Sequence, residues 1–362
     1  MAQHHGHHEQ EFLRERVVPF TIEPTDTAAQ LLAKMAHTGF QGRALGQAAD
    51  LWCQMLQEPC TIYLTISGAM VPAGMGRLLA YLIEHRYVDC VVSTAAQLFH
   101  DLGESLGEHH FQAPHAEAFD DAVLRRGDIV RMYDVLWSHH GLDRAERFIA
   151  EYAATLSPQP VTTREFLGGL GSRLIQEGQQ PGILTAAAAA GVPVYCPALG
   201  DSAIGTALAQ ARVTDGITVQ FDTVQDVVET VGIVGATEDA GGRTALIIIG
   251  GGTPRNFAQQ TATGADIFGR PWFKMHKYGI QITTDSPQWG GLSGSTFEEA
   301  KSWGKYDLDQ ARTATVYAEA TIVLPLLATA VVERTQQGQP RRQKPTFHFA
   351  AHPLPVRIEF TA

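Results

Sequence analysis

Short apolar runs that alternate with helical stretches constrain the fold of this chain more than any other feature of its sequence. Each run is continuously apolar, which is typical of strands that are buried on both faces. This order predicts an α/β fold with a doubly wound, mostly parallel sheet and helices on both faces. The predicted strands are Cys60–Ile66, Tyr87–Ser93, Val192–Cys196, Ile217–Gln220, Thr244–Ile249, Gly279–Thr283 and Thr315–Ala318.

Three segments are predicted along the 362 residues. Residues 1–12 are a His-rich start that we expect to be flexible. Residues 13–335 are predicted to form a single α/β domain, since this length suits one large core. Residues 336–362 are predicted to be a polar, solvated linker (Gln336–Lys344) and a short C-terminal extension.

Charge and cysteine content exclude several classes of function. The formal net charge is −11, so we expect no basic surface for nucleic acid. No apolar stretch reaches the length of a membrane span. Four cysteines without CxxC spacing indicate reduced thiols in a cytoplasmic protein. No metal site is predicted, because HxxxH and HExxH spacings are missing among His109, His110, His115, His139 and His140.

Glycine-rich turns follow several of the predicted strands. In a parallel sheet, ligands bind at the carboxyl ends of the strands, where these turns lie. The turn Gly250–Gly252 could bring backbone N–H groups close to a phosphate at a helix N-terminus, or it could be a tight turn without a ligand. The GxGxxG fingerprint is missing, because Leu79 stands where its third glycine would fall after Gly74 and Gly76.

Two polar side-chain groups are candidates for catalysis. His100 and Asp101 follow a predicted strand, where a histidine beside an aspartate suits a general base or a structural pair. Lys305 follows Trp303 and Gly304. Such a lysine is either an exposed side chain lying along the aromatic ring or, if kept from water, a nucleophile with a lowered pKa.

The chain resembles the deoxyhypusine synthase family over most of its length. The segment Glu298–Lys305, with its glutamate, tryptophan and lysine placed after the triple glycine, is the most specific part of this resemblance. The other matching segments are Gly39–Gly46, Ser67–Gly74, Pro197–Asp201, Gly250–Gly252 and Val316–Ala320. The resemblance implies a Rossmann-like deoxyhypusine synthase fold, NAD as cofactor, and a homotetramer with active sites between subunits.

The resemblance also implies roles for individual residues. Lys305 would be the nucleophile that forms an imine with an aminoalkyl fragment, since a neutral lysine suits transimination. The implied substrate-binding residues are Glu299 for an ammonium group, Trp303 for the substrate chain, and Asp101, Gly290 and Leu292. The implied NAD-binding residues are Gly68, Thr94, Ala95, Asp201, Gly251, Thr284, Asp285, Glu319 and Ala320.

Several positions depart from the eukaryotic and archaeal pattern of the family. His100, Thr206 and Leu292 stand where that pattern has carboxylates that grip a polyamine, each worth about 1–3 kcal/mol. Asn256 stands at the position of a histidine that helps proton transfer, and Gln260 replaces an asparagine. Asn256 therefore keeps a catalytic position, and the proton-transfer step is expected to pass to His100 or to a water.

These departures resemble a bacterial deoxyhypusine-synthase-like branch. Because bacteria lack the hypusine-bearing initiation factor, the sequence favours NAD-dependent aminoalkyl transfer between small amines, giving a polyamine such as homospermidine. Two alternatives remain. One is a true deoxyhypusine synthase, which transfers an aminobutyl group from spermidine to a protein lysine. The other is a non-catalytic module that binds NAD or polyamines.

Overall fold

The central feature of the protein is a six-stranded parallel sheet with the strand order β6-β2-β1-β7-β8-β9. This computed structural model describes residues 13, 15–113, 120–178, 180–337, 342–350 and 354–361. The predicted fold class is confirmed. The six strands are β1 (Cys60–Ile66), β2 (Cys90–Ser93), β6 (Val194–Tyr195), β7 (Arg243–Ile249), β8 (Tyr278–Thr283) and β9 (Arg312–Tyr317).

Helices cover both faces of the sheet because its inner strands are apolar on both sides. Ile62 and Leu64 face a core that includes Trp52, whereas Leu246 and Ile248 face a second core on the opposite side. The helices of the described residues are α1 (Ala28–Met35), α2 (Phe40–Met55), α3 (Gly76–Glu84), α4 (Ala95–Ser105), α5 (Asp121–Arg126), α6 (His139–Ala153), α7 (Thr163–Glu177), α8 (Ile183–Ala190), α9 (Ala203–Asp215), α10 (Thr223–Asp239), α11 (Gly252–Gln260), α12 (Phe297–Ser302) and α13 (Ala320–Gln336).

The chain changes direction in the middle of the sheet. From β1 it runs outward to β2 and β6, and it then returns to the other side of β1 to form β7, β8 and β9. The carboxyl ends of β1 and β7 therefore lie side by side. After β1 the chain continues towards β2, and after β7 it continues towards β8 on the other side. Such a switch point opens a crevice for ligands in doubly wound sheets.

The predicted strand Ile217–Gln220 is wrong. This segment is largely exposed and belongs to no strand, while Phe221 makes only an isolated parallel bridge with Val161. Among the described residues, β6 is the outermost strand and pairs only with β2, but Ile217–Gln220 does not pair with its free edge. The Gln220 carbonyl oxygen instead accepts a hydrogen bond from the Val161 N–H at 2.9 Å, so this segment lies beside the start of α7.

Two small antiparallel sheets were not predicted. One consists of β3 (Phe111–Gln112), β4 (Ile129–Met132) and β5 (Val135–Ser138), in the order β3-β5-β4. The other is a hairpin of β10 (Lys344–Phe349) and β11 (Val356–Thr361).

The hairpin packs on α10 through Leu354, Val356 and Ile358, which belong to the same core cluster as Ile233 of that helix. Residue 342 was predicted to lie in a solvated linker. Instead, the Arg342 side chain is 1% exposed and forms an ion pair with Asp89, whose side chain is fully buried.

Candidate active site

A cleft with a volume of about 850 Å³ opens at the switch point between β1 and β7. This volume lies within the range of small-molecule and cofactor sites. Its floor is formed by the turns after β1, β7 and β8, and its rim by the start of α13 and by the β4–β5 hairpin. The acidic residues of its lining are Asp134, Asp285 and Glu319, and no lysine or arginine belongs to that lining.

The glycine turn after β7 joins the floor of the cleft to the neighbouring loop. Gly250 adopts φ +73°, a conformation that L side chains rarely adopt. A Cβ atom on Gly251 would lie 2.5 Å from the Cα atom of Ser293, so the close approach of the two backbones requires glycine there. Gln281 Nε2 donates to the carbonyl oxygens of both Gly250 and Ser293, at 2.9 and 2.8 Å.

Helix α11 begins directly after this turn. Gly251 is its N-cap residue and offers no side-chain acceptor to the first N–H groups of the helix. Unpaired N–H groups at a helix N-terminus favour a phosphate, through hydrogen bonds and through the helix dipole. A pyrophosphate would thus have to be bound by backbone groups, because the lining offers no cationic side chain.

A second group of polar residues surrounds Lys305. Its Nζ atom donates a hydrogen bond to Asn256 Oδ1 at 2.9 Å and lies 5.9 Å from the centre of the Trp303 ring. Helix α12 ends just before these residues, and Gly304 turns the chain with φ +70°. Trp303 is 68% exposed, and Glu299 is exposed beside it.

The surroundings of Lys305 lower the pKa of its amine. Burial lowers its pKa most, the guanidinium of Arg255 lowers it further, and the carboxylate of Glu299 acts in the opposite direction. A lowered pKa raises the fraction of neutral amine, which is the form that attacks a carbonyl or iminium carbon.

Comparison with known proteins identifies the family. The family model for deoxyhypusine synthase matches residues 30–331. The chain belongs to the deoxyhypusine synthase family.

Named relatives agree with this membership. A protein of Methanosarcina mazei named "Probable deoxyhypusine synthase 2" is 40% identical over 91% of this chain and 93% of its own length. Its namesake from Archaeoglobus fulgidus is 42% identical over 84% of this chain and 98% of its own length. The "Deoxyhypusine synthase-like protein" of Coxiella burnetii is 36% identical over 89% of this chain and 92% of its own length.

A solved structure from Entamoeba histolytica that carries the name of the family has the same fold. It superposes with a TM-score of 0.56 over 90% of this chain and 98% of that one, at 19% sequence identity. At this level of identity the comparison supports the fold and leaves the chemistry of the site to the residues themselves.

Six of the nine residues that the deoxyhypusine synthase resemblance assigns to NAD line the cleft. These six are Gly68, Gly251, Thr284, Asp285, Glu319 and Ala320. Thr94 and Ala95 lie at the same edge of the sheet, where the Thr94 N–H donates to the Ile66 carbonyl, but they do not line the cleft. Asp201 follows β6, the outermost strand, and is exposed outside the cleft.

The cleft fits a dinucleotide by its shape and its donors. A Cβ at position 251 would occupy space between the turn Gly250–Gly252 and Ser293. The start of α11 supplies N–H groups for a phosphate. The carboxylates of Asp285 and Glu319 are acceptors suited to ribose hydroxyls. In the described residues, no group of three or more His, Cys, Asp or Glu side chains could hold a metal ion.

His100 lies apart from the cleft lining, in a chain of hydrogen-bonded side chains. Its Nδ1 atom is 3.0 Å from His110 Nε2, and His110 Nδ1 is 2.8 Å from Glu104 Oε1. The rings of both histidines pack against Trp137. Burial, and secondarily His110, lower the pKa of His100 to about 4, so its imidazole is neutral near pH 7.

Asp101 is fully occupied by a structural contact. Its two carboxylate oxygens accept hydrogen bonds from the backbone N–H groups of Ile183 and Leu184, at 2.6 and 2.9 Å. These are the first two residues of α8, so the carboxylate caps this helix. The side chain is 1% exposed and does not line the cleft, in contrast to its expected place in a substrate pocket.

The loop with Gly290 and Leu292 connects the two groups of residues. Arg255 Nη1 donates to the Leu292 carbonyl oxygen at 3.1 Å, and the next residue, Ser293, lines the cleft. The Leu292 side chain is 42% exposed. Gly290 turns this loop with φ +70°.

Sequence reasoning missed several residues of this region. Ser293, Asp134 and Arg255 were not singled out, although Ser293 and Asp134 line the cleft. Asp134 lies in the tight turn of the β4–β5 hairpin, and no local signal ties that hairpin to the switch point. The β-branched and aromatic residues of Ile129–Ser138, interrupted by Asp134, could have predicted the hairpin itself. The predictions for residues 1–12 and for His115 lie outside the described residues.

Proposed function

We propose that this protein is an NAD-dependent transferase that moves an aminoalkyl group between small amines through an imine on Lys305. The observation that carries the proposal is the Lys305 amine, half-buried, hydrogen-bonded to Asn256, and lowered in pKa. An ordinary surface lysine has none of these properties. Membership of the deoxyhypusine synthase family supports aminoalkyl transfer as the class of reaction.

The proposed cofactor would accept a hydride from the donor amine and return it to the product within one turnover. The residues of this chain then act on the amine. Lys305 attacks the oxidised carbon of the donor, the leaving amine departs with a proton, and the aminoalkyl group stays on Nζ as an imine. An acceptor amine displaces Lys305 in the reverse exchange, and bond formation and cleavage balance in each step.

The surroundings of Lys305 suit these steps. Asn256 Oδ1 accepts one N–H of the amine, which leaves the lone pair of a neutral nitrogen free to attack. The exposed ring of Trp303 offers an apolar face against which a methylene chain can pack, while the nearby Glu299 carboxylate suits an ammonium end. Excluding water at this point would protect the imine from hydrolysis.

The two groups of residues support an active site formed between subunits. Lys305, Asn256, Glu299 and Trp303 do not belong to the lining of the cleft in the same chain. The large exposed ring of Trp303 would be covered if the cleft of a second copy lay against it. We therefore propose the homotetramer that the family resemblance implies, with Lys305 of one copy serving the cleft of another.

The proposed substrates are small aliphatic amines. Spermidine, putrescine and an agmatine-like guanidino amine are the candidate donors, and homospermidine is a candidate product. The support comes from Leu292, an apolar side chain that is 42% exposed on the loop next to Ser293 of the cleft lining. A pocket with fewer carboxylates holds a long polycation less tightly.

A cytoplasmic location is part of the proposal. All four cysteines are buried and unpaired, as expected in a reducing compartment. Among the described residues, no helix is both long and apolar enough to cross a membrane.

Trapping with borohydride tests the proposal. The protein is incubated with NAD and a panel of amines, reduced with borohydride, and analysed by peptide mass spectrometry. The expected result is an aminoalkyl adduct on Lys305 with at least one amine. The K301R variant is the matched control, because Lys301 lies on the same helix and pairs with Glu298 at the surface. K301R should keep the adduct and K305R should lose it. NAD binding without an adduct from any amine would contradict the transfer mechanism.

A true deoxyhypusine synthase is the second candidate, favoured by the names of the archaeal relatives at 40–42% identity. It predicts transfer of label from spermidine to a lysine of an initiation-factor protein. A non-catalytic NAD- or polyamine-binding module is the third candidate. It predicts a thermal shift with NAD and amines, without turnover, that K305A leaves unchanged.

A further inference from the structure

Arg255 is a fully buried arginine on the second turn of α11, with 0% of its surface exposed. Its Nη1 atom donates to the carbonyl oxygens of Leu292 and Ser293, at 3.1 and 3.4 Å. Its Nε atom donates to Gln259 Oε1 at 3.3 Å. All three acceptors are neutral, so the guanidinium is anchored without being neutralised.

Within the described part of the chain, this charge has no carboxylate partner. The ion pairs of the described residues do not include Arg255, and its Nη2 atom is buried without a hydrogen-bond partner there. Other largely buried arginines do pair with a carboxylate, among them Arg164, Arg243 and Arg342. Burying an uncompensated charge costs several kcal/mol, whereas an apolar side chain of similar volume would fill the same space more cheaply.

Arg255 lies close in the chain to the residue that holds Lys305, so its buried charge can act on the lysine amine. The next residue in the chain, Asn256, holds the Lys305 amine at 2.9 Å. The cation of Arg255 repels a proton on that amine, while Glu299 attracts one. The Glu299 carboxylate also acts on the guanidinium, but no carboxylate of the described residues forms an ion pair with it. The repulsion by Arg255 therefore acts on the amine through a poorly solvated region, where screening is weak.

We propose that Arg255 is a positioning residue whose guanidinium, without an ion-pair partner in the described residues, favours the neutral, nucleophilic form of the Lys305 amine. Through Nη1 it also fixes the backbone of Leu292 and Ser293, and so connects the lysine to the edge of the cleft. The inference rests on the proposed role of Lys305 as the attacking amine. A buried cation beside a lysine is a known way to make that lysine reactive at neutral pH.

Competitive acetylation measures this effect without any turnover. Low amounts of acetic anhydride label only neutral amines, and mass spectrometry follows each of the six lysines of the chain as a function of pH. Lys301 serves as the internal reference. In the wild-type protein, Lys305 should be labelled at lower pH than Lys301.

Two substitutions of Arg255 separate charge from packing. R255M removes the charge at similar length, and R255K keeps a cation. We expect R255M to shift the labelling of Lys305 to higher pH and to reduce its labelling at pH 8 several-fold relative to Lys301. R255K should stay close to wild type. The proposal is overturned if R255M titrates like wild type, or if R255K behaves like R255M.

A third variant tests the idea while Arg255 is retained, in case R255M fails to fold. Q259E places a carboxylate where Gln259 Oε1 now accepts from Arg255 Nε, so that the guanidinium becomes paired. Labelling of Lys305 should again move to higher pH, and an unchanged titration would overturn the proposal. If wild-type Lys305 titrates low but traps no amine, only the proposed function fails. If Lys305 traps an amine but its labelling does not respond to the charge at position 255, only this inference fails.

Discussion

Lys305 Nζ donates a hydrogen bond of 2.9 Å to Asn256 Oδ1, which joins two residues that are 49 positions apart in the chain. Lys305 follows α12, and Asn256 lies on α11, one residue after the buried Arg255. An amide oxygen accepts from an amine but takes no proton from it near neutral pH. Asn256 therefore orients the amine. The protonation state of the Lys305 amine is set by burial and by the charges of Arg255 and Glu299.

Removing this acceptor should slow transfer. In N256L the Lys305 amine loses its orienting hydrogen bond. A hydrogen bond to an ionisable group contributes about 1–3 kcal/mol. We expect the rate of adduct formation on Lys305 to fall roughly 10- to 100-fold, with NAD affinity unchanged. Single-turnover trapping with borohydride measures the rate. Q260L is the control, because Gln260 contacts Asn256 at 3.4 Å and not the lysine. A full rate in N256L would show that the hydrogen bond has no part in the reaction.

Adding one methyl group at Gly251 should close the proposed cofactor site. The new Cβ would lie 2.5 Å from the Cα of Ser293, so the loop that borders the cleft must move. We expect G251A to weaken NAD binding by about tenfold or more, as measured by calorimetry, since backbone N–H groups that bind a phosphate tolerate little displacement. G168A is the matched control, because a Cβ there meets nothing within 4 Å on helix α7. Equal NAD affinity in both variants would argue against the glycine turn as a phosphate site.

Two buried histidines should make the protein less stable in acid. Burial lowers the pKa of both His100 and His276 to about 4, with His110 contributing at His100. The unfolded chain therefore takes up these protons at higher pH than the folded one. Above about pH 6.5 both histidines are neutral in the folded and the unfolded chain, and the free energy of unfolding keeps its full value. As the pH falls towards 4, this free energy decreases by up to about 3 kcal/mol per histidine.

Urea unfolding between pH 7 and 4 measures this loss. H100Q and H276Q should each flatten the pH dependence of the free energy of unfolding. H348Q, which changes a side chain that is 44% exposed, should leave the profile unchanged. A wild-type free energy that does not vary over this range would contradict the assignment.

The C-terminal segment should contribute to the stability of the whole domain. Arg342 pairs with Asp89, and Asp89 also accepts the Ile62 N–H of β1 at 2.9 Å. R342M leaves this carboxylate buried with less compensation, so we expect a loss of about 3 kcal/mol in the free energy of unfolding. Chemical denaturation measures it. R125M is the control, because Arg125 and Asp128 are exposed and such pairs contribute little. A loss no larger than that of R125M would mean that the pair is not needed.

The sequence determined the central strands because their chemistry is local. The run from Cys60 to Ile66 is rich in apolar and β-branched residues, and it forms the fully buried strand β1 with the predicted bounds. Ile217–Gln220 also contains β-branched residues, yet whether such a segment pairs with a sheet depends on elements far away in the chain. A local pattern predicts that a segment can form a strand, and the tertiary structure decides whether it finds a partner.

The same division holds at the candidate active site. The segment Glu298–Lys305 singled out the lysine by its resemblance to a family motif, while the residues alone left open whether the amine is exposed or desolvated. Only the packing of α11 against α12 and the loop at Leu292 brings Asn256 and Arg255 to that amine. Electrostatic fields depend on distance in space and on burial, and neither can be counted along a sequence. The sequence thus identified Lys305, and the tertiary structure determined the chemical environment that lowers the pKa of its amine.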